Sequence, residues 1–340
     1  MDIVRTFNKT KKKYKFYNRK TKKHISEKSP LYKHLSSIYI PPAYKRVKFS
    51  SKINNKVVAI GQDEAGRSQY TYSKKWKEEQ SIIKFVDLIH FGRKLKRIRK
   101  DITSTINMCI VNALYNDKEC IIALIVYLID KCNFRVGNDK YRKLYNSYGI
   151  TTINSSHLKR LANSYKIEFV GKKGVVNKSM VTNKNVNLIL DKLCNMHRNK
   201  DYLFHYHDKN SGESYRITEK HINDFLKKYH QSISVKMFRT WSANYMLLKE
   251  LINFPPPQTE IEAKRNVRDA ITKAAENMHH TRSVSKKSYM NNEIIDMYLE
   301  DFNGFYRLIV GLKKNNGNYP TIDRMLNLIL KKLSATRSMN

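Results

Sequence analysis

Ten consecutive residues, Cys120 to Ile129 (CIIALIVYLI), carry no charge. Ten residues of helix rise only about 15 Å, half of what a bilayer core of about 30 Å requires. The run is too short to cross a membrane, so it has to be covered by protein. We read it as a buried helix, and the chain around it must supply the elements that bury it.

Those elements are mostly helical. From about Lys74 onward the apolar residues recur at the helical period, first as Ile82, Ile83, Val86, Ile89, Leu95 and Ile98. Further helices are expected at 101–116, 119–131, 138–146, 185–198, 219–229, 235–252 and 260–278, with more beyond Tyr289. Three prolines at 255–257 end one helix. Thr259, with Glu262 three residues on, forms a capping box that opens the next, whose apolar face is Val267, Ala270, Ile271, Ala274 and Met278. One β interruption is expected within this region. YKIEFVGKKGVVNKSMVT contains two alternating runs around GKKG, a hairpin with its tip at Lys172–Gly174. No internal repeat is visible.

Before residue 74 the period is two. Val47–Phe49, Lys56–Gly61 and Ser68–Ser73 read as short strands between turn signals. Residues 1–35 read as a basic arm, poorly ordered at its start. The expected fold is therefore α+β: a small β-rich N-terminal domain over 1–79 and a larger, mainly α-helical domain over 80–340.

Charge narrows the partner. Sixty-six Lys and Arg against 29 Asp and Glu leave +37 over 340 residues, a charge that calls for a polyanion, and DNA or RNA is the usual one. A membrane surface is the rival, but no long basic amphipathic helix with a clean apolar face stands out. Residues 1–25 hold ten Lys or Arg and one Asp, without the apolar stretch of a secretory signal. Cys109, Cys120, Cys132 and Cys194 lack C-x-x-C spacing, and we expect reduced, buried thiols.

Two familiar chemistries fail on context. GQDEAGRS (61–68) approaches the phosphate-loop pattern but carries Arg67 in place of lysine. The QYTYS that follows alternates like a strand and opens no helix. We read it as a hairpin turn leading into a strand that carries Arg67, Gln69, Tyr70 and Tyr72, a basic and aromatic mixture suited to DNA phosphates and base edges. His205 and His207 in LFHYHD have no third partner at metal-binding spacing and read as strand surface residues.

A different set remains. Arg135 follows the buried helix in CNFRVGNDKY. Lys172 sits at the hairpin tip. Arg239 lies near the start of a helix, KMFRTWSANYMLL, with the apolar face Phe238, Trp241, Tyr245 and Leu248. His280 and Tyr289 stand nine residues apart in HTRSVSKKSY. A phosphodiester under attack gathers negative charge on its non-bridging oxygens, which the two-pronged guanidinium is shaped to receive. Two arginines, a histidine donor, a lysine acid and a tyrosine nucleophile suffice for transesterification without metal.

In their order, FRVGN, FVGKKG, KMFRTW and HTRSVSKKSY resemble the type IB DNA topoisomerases, most closely the short poxvirus-type enzymes of large DNA viruses. The resemblance spans roughly residues 40–300. It implies the fold of the topoisomerase IB and tyrosine recombinase catalytic domain. It also implies a catalytic pentad on Arg135, Lys172, Arg239, His280 and Tyr289, His279 being wrongly spaced from the tyrosine. The same resemblance implies a β-rich N-terminal domain that closes over double-stranded DNA, with RSQYTY as its aromatic strand. Asn138, Lys140 and Tyr141 would belong to a recognition helix, and Lys236 stands three residues before Arg239, as in the poxvirus enzymes. The expected activity is relaxation of supercoils through a 3′-phosphotyrosyl link, with no cofactor, ATP or required metal. The expected actor is a monomer clamped on DNA in an intracellular, DNA-containing compartment (host nucleus, viral factory or virion). Lys173, where the poxvirus pattern is acidic, and Asn138, where it has lysine, depart from that pattern, as do the extensions before 30 and after about 315. The alternatives are a tyrosine recombinase, in which a histidine usually holds the position of Lys236, and a non-enzymatic basic DNA-binding protein.

Overall fold

A computed structural model describes residues 1–8, 13–198, 201–208, 210–312 and 321–337. Parts of both extensions, residues 9–12, 313–320 and 338–340, lie outside this description. The chain divides into two compact units, Met1–Lys84 and Phe85–Asn340. The architecture is α+β, with the β-sheet region small and N-terminal and the larger part helical.

The first unit is a five-stranded antiparallel sheet in the order β2-β1-β3-β4-β5. Its strands are β1 (Ile3–Asn8), β2 (Lys13–Asn18), β3 (Lys45–Phe49), β4 (Val57–Gln62) and β5 (Ser68–Tyr72), and helix α1 (Pro30–Ser37) packs on it. The basic arm is thus not loose at its start. It supplies two strands, paired with each other from Ile3↔Asn18 to Asn8↔Lys13, and β1 also pairs with β3. Burial explains the ordering: Ile3 and Phe16 are almost fully enclosed, and Phe16 meets Tyr32 and Phe49 edge-on. The turn between β4 and β5 is closed by Asp63, which accepts from the Arg67 backbone N–H, with Gly66 in the left-handed region that the turn needs.

Helix α2 (Lys74–Val111) begins in the first unit and ends in the second. Its first third departs from the expected apolar face: Ile82, Ile83 and Val86 are exposed, whereas Leu88, Phe91, Leu95, Ile98, Ile102 and Ile106 are buried. Helix α3 (Lys118–Cys132) contains the ten-residue run and is enclosed on nearly every side, as a uniformly apolar helix must be. Asp117 caps it, accepting from Glu119 and Cys120 N–H.

The second unit continues with α4 (Asp139–Tyr145) and a three-stranded sheet, β6 (Leu158–Leu161), β7 (Ser164–Val170) and β8 (Val176–Val181). Then come α5 (Lys184–Met196), the short ribbon β9 (His205–His207) and β10 (Ser214–Arg216), and α6 (Glu219–Lys227). Six helices close the chain: α7 (Lys236–Asn253), α8 (Glu260–Asn277), α9 (Arg282–Ser288), α10 (Asn292–Glu300), α11 (Phe302–Gly311) and α12 (Ile322–Arg337). The expected face of α8 is buried, but its capping box is altered. Thr259 accepts from Glu262 N–H, while the Glu262 carboxylate takes the N–H of Gln258 and not that of Thr259. Arg99 on α2 binds Asp130 on α3 through two nitrogens and Asp323 on α12 through the third. Asp323 also accepts from Trp241 Nε1 at 2.6 Å, so α12 is fastened to the helix that carries Arg239.

Two cysteines overturn the expectation of free thiols. The turn after α2 brings α3 back against it, and Cys109 and Cys120, with Cα atoms 5.9 Å apart, form a disulfide. Cys132 and Cys194 are free, and burial pushes both thiols up to about 11. Among the described residues no helix is long and apolar enough to cross a membrane.

Candidate active site

Four of the five expected site residues converge, each delivered by a different local device. Arg135 comes from the loop after α3, pressed flat against residues 149–152. Its carbonyl accepts from Ile150 N–H at 2.8 Å, Gly137 N–H donates to Thr151 Oγ1, and a Cβ on Gly149 would lie 2.6 Å from the Arg135 carbonyl oxygen. Arg239 lies on α7, where Phe238, Trp241 and Leu248 are also buried, and is only 4% exposed.

His280 follows the end of α8, and Tyr289 follows the two turns of α9. Asn244 secures the nucleophile candidate from α7: its Nδ2 donates to the Tyr289 carbonyl at 2.9 Å and its Oδ1 accepts from Asn291 N–H at 2.7 Å. Neither Asn244 nor Ser285 figured among the expected site residues. The visible signal for Asn244 was an amide set in an otherwise apolar helical face.

Arg239 Nη2 donates to the Met278 carbonyl at 2.9 Å and contacts His280 Nε2. Guanidinium only donates, so in this arrangement the imidazole Nε2 accepts and the ring proton sits on Nδ1, which faces Ser285 Oγ at 3.3 Å. Burial, then the charges of Arg239 and Arg135, pull His280 down to about 3, so its ring is neutral at physiological pH. The Tyr289 ring lies 4.7 Å from that of His280 and 5.6 Å from the Arg239 guanidinium carbon. Burial alone would raise the phenol. The charges of Arg239 and Arg135 outweigh it and leave Tyr289 below the ordinary tyrosine value.

Arg239 itself is drawn down to about 10 by burial and by Arg135, and stays cationic at neutral pH. Its Nε and Nη1 are buried and make no hydrogen bond among the described residues. Two unspent donors on an enclosed cation, beside a phenol inclined to ionise, make a receptor for an anion.

Lys172 stands apart. The hairpin forms as expected, β7 and β8 pairing from Tyr165↔Val181 to Val170↔Val176, with Lys172–Gly174 as one tight turn. The lysine is exposed there and makes no hydrogen bond or ion pair among the described residues.

The expected DNA contacts divide. Arg67 and Gln69 both donate to Asp63 Oδ2, while Tyr70 is 55% exposed and Tyr72 stacks on Trp76 at 4.2 Å. Asn138 spends its side-chain oxygen on capping α4, accepting from Lys140 and Tyr141 N–H. Lys140 and Tyr141 are exposed on α4, as are Lys143, Leu144 and Tyr145, which were not among the expected contacts. Asp139 ties α4 down by accepting from Tyr202 Oη and from Arg216. Lys236, the first residue of α7, is exposed.

Residues 73–314, which contain every member of this cluster, match the family model described as eukaryotic DNA topoisomerase I, catalytic core. The chain belongs to that family. Its curated relatives place it within the type IB class of DNA topoisomerases. It is 28% identical over 271 residues to DNA topoisomerase 1B of Acanthamoeba polyphaga mimivirus, covering 78% of this chain and 79% of that one. It is 24% identical over 287 residues to DNA topoisomerase 1B of vaccinia virus (strain Copenhagen), covering 80% and 83%. A shorter match, 29% over 168 residues, joins it to DNA topoisomerase 1 of Mycosarcoma maydis, 45% of this chain and 16% of that one.

Proposed function

We propose that this enzyme relaxes supercoiled double-stranded DNA by attack of the Tyr289 hydroxyl on a backbone phosphorus. The Tyr289 hydroxyl gives its proton to solvent as its oxygen bonds to phosphorus, the bond to the 5′-oxygen breaks and that oxygen takes a proton, and a 3′-phosphotyrosyl link and a free 5′-hydroxyl result. One phosphate ester replaces another, so the bond energy is kept, and after strand rotation the 5′-hydroxyl can reverse the step without ATP. The observation that carries this reading is Arg239, a buried cation with two unused donors beside a phenol whose pKa its charge lowers.

In this scheme Arg239 and Arg135 receive the non-bridging oxygens, whose charge grows in the transition state. His280 adds no charge; to donate to a non-bridging oxygen it must release Arg239 from Nε2 as phosphate binds and carry its ring proton there in place of Nδ1. Lys172, exposed at the hairpin tip, protonates the leaving 5′-oxygen once DNA is bound. Lys140 and Tyr141 on α4, with Tyr70 and Tyr72 on β5, contact the duplex, and Lys236 lies against the backbone. One chain carries all five groups, so the proposed active form is a monomer, working wherever double-stranded DNA is held.

The test is relaxation of supercoiled plasmid in EDTA without ATP. Wild type should relax it, and Tyr289→Phe should not, although the mutant should bind duplex within a few-fold of wild type because only a hydroxyl is lost. Relaxation by Tyr289→Phe would overturn the proposal.

A further inference from the structure

His279 carries a backbone conformation that its side chain makes costly. Helix α8 ends with His279 N–H bonded to the Glu276 carbonyl and His280 N–H to the Ala275 carbonyl, and the chain turns through His279 at φ +53°. That left-handed position after a helix is where glycine is most at ease, because any Cβ crowds the carbonyl. Histidine there gives up the ease that glycine would bring, and its ring makes a contact that glycine could not.

The His279 ring stacks on that of Phe134, centroids 6.3 Å apart and planes 22° from parallel. Beside it, Asn133 Nδ2 donates to Asn277 Oδ1 at 2.8 Å. Asn133 is itself the left-handed cap of α3, at φ +55°. Two helix ends are thus joined residue to residue, 133–134 against 277–279. Arg135 is the next residue beyond one end, and His280 the next beyond the other.

We propose that His279 is a positioning residue: with Asn133, Asn277 and Phe134 it forms a strut that fixes the Arg135 segment against the His280 segment. Without the strut the Arg135 segment keeps its bonds to residues 149–152 and the His280 segment its bonds to Arg239, but the direct tie between the two segments is lost. Misplacement of a reacting group by an ångström can cost on the order of a hundredfold in rate. The strut acts on rate while leaving the exposed DNA-facing side chains untouched. This inference rests on the proposed roles of Tyr289, Arg135 and His280.

The discriminating variant is His279→Gly in the full chain, because glycine suits the turn better than histidine does. The readouts are the single-turnover rate of covalent adduct formation on a long duplex, duplex affinity and thermal midpoint. The strut predicts a folded protein with affinity within about twofold, and adduct formation slowed roughly ten- to a hundredfold. It also predicts a smaller factor when the same change is made in an Arg135→Ala background, since two changes acting through one placement do not add. A wild-type rate for His279→Gly, or the same factor in both backgrounds, would overturn it. If His279→Gly fails to fold, Asn277→Ala at its exposed position takes its place. A slowed adduct step with unchanged affinity supports the strut, and a wild-type rate refutes it. Tyr289→Phe separates the two layers of the argument: adducts formed by that variant refute the active-site reading itself.

Discussion

At Tyr289 two opposing effects of known sign meet. Burial resists ionisation of the phenol, and two guanidinium groups favour it more strongly. Removing one cation leaves burial less opposed and raises the pKa. The rate of adduct formation should therefore climb with pH and level off below the ordinary tyrosine value of about 10 in wild type. In Arg239→Gln the levelling should move to higher pH, and the maximal rate should fall about 10²–10³-fold as a transition-state donor is lost. A pH–rate profile with the same inflection in both proteins would show that Arg239 does not act on the nucleophile. The five candidate residues were named from the sequence by their motifs, and the structure brings four of them together while Lys172 stays exposed at the hairpin tip. The contacts that hold them were not legible. Asn244 and His279 make contacts across 45 and 145 residues of chain (to the Tyr289 carbonyl and the Phe134 ring), and sequence spacing does not name such partners.

The β7–β8 hairpin is the element that separates Lys172 from the other four. An ammonium acid in place is worth roughly 10²–10⁴ in rate, because an alkoxide leaves poorly without a proton. A phosphate clamp would instead be indifferent to the leaving group. Replacing the bridging 5′-oxygen with sulfur gives a leaving thiolate whose conjugate acid has a pKa near ~8.5, as in cysteine, and which scarcely needs the proton. Lys172→Ala should then cleave the sulfur substrate far faster than the oxygen one, approaching wild type. Equal defects on both would leave the lysine as a clamp.

Elements of this kind were read well where one period ran unbroken. The hairpin, α3, α7 and α8 all lie within a residue or two of expectation. Missed elements had weak local signals and were ordered by distant partners. The arm's strands, residues 3–8 and 13–18, are too basic to read as core, yet Ile3 and Phe16 are buried, Phe16 against Phe49, and β1 pairs with β3. The start of α2 shows the converse, a helical period whose apolar residues Ile82, Ile83 and Val86 remain exposed.

At the scale of the molecule, a net charge of +37 sets how the enzyme meets DNA. Each phosphate neutralised contributes a slope of about −0.9 in log K against log salt, so six to ten contacts cost about 10³–10⁵ in affinity between 50 and 200 mM salt. Duplex affinity should fall on that scale, and Tyr289→Phe should share the slope of wild type because it loses no charge. A shallow slope would mean that the positive surface is spent elsewhere. The central claim concerns a bond, and the most direct measurement is to trap it. Duplex DNA labelled separately at each strand end is mixed with enzyme, denatured during reaction, and the protein-linked label is digested and its modified peptide sequenced. The account predicts that DNA is joined through its 3′-phosphate to Tyr289 and that a 5′-hydroxyl marks the other side of the break. A 5′-linked adduct, or DNA carried on any residue other than Tyr289, would contradict it.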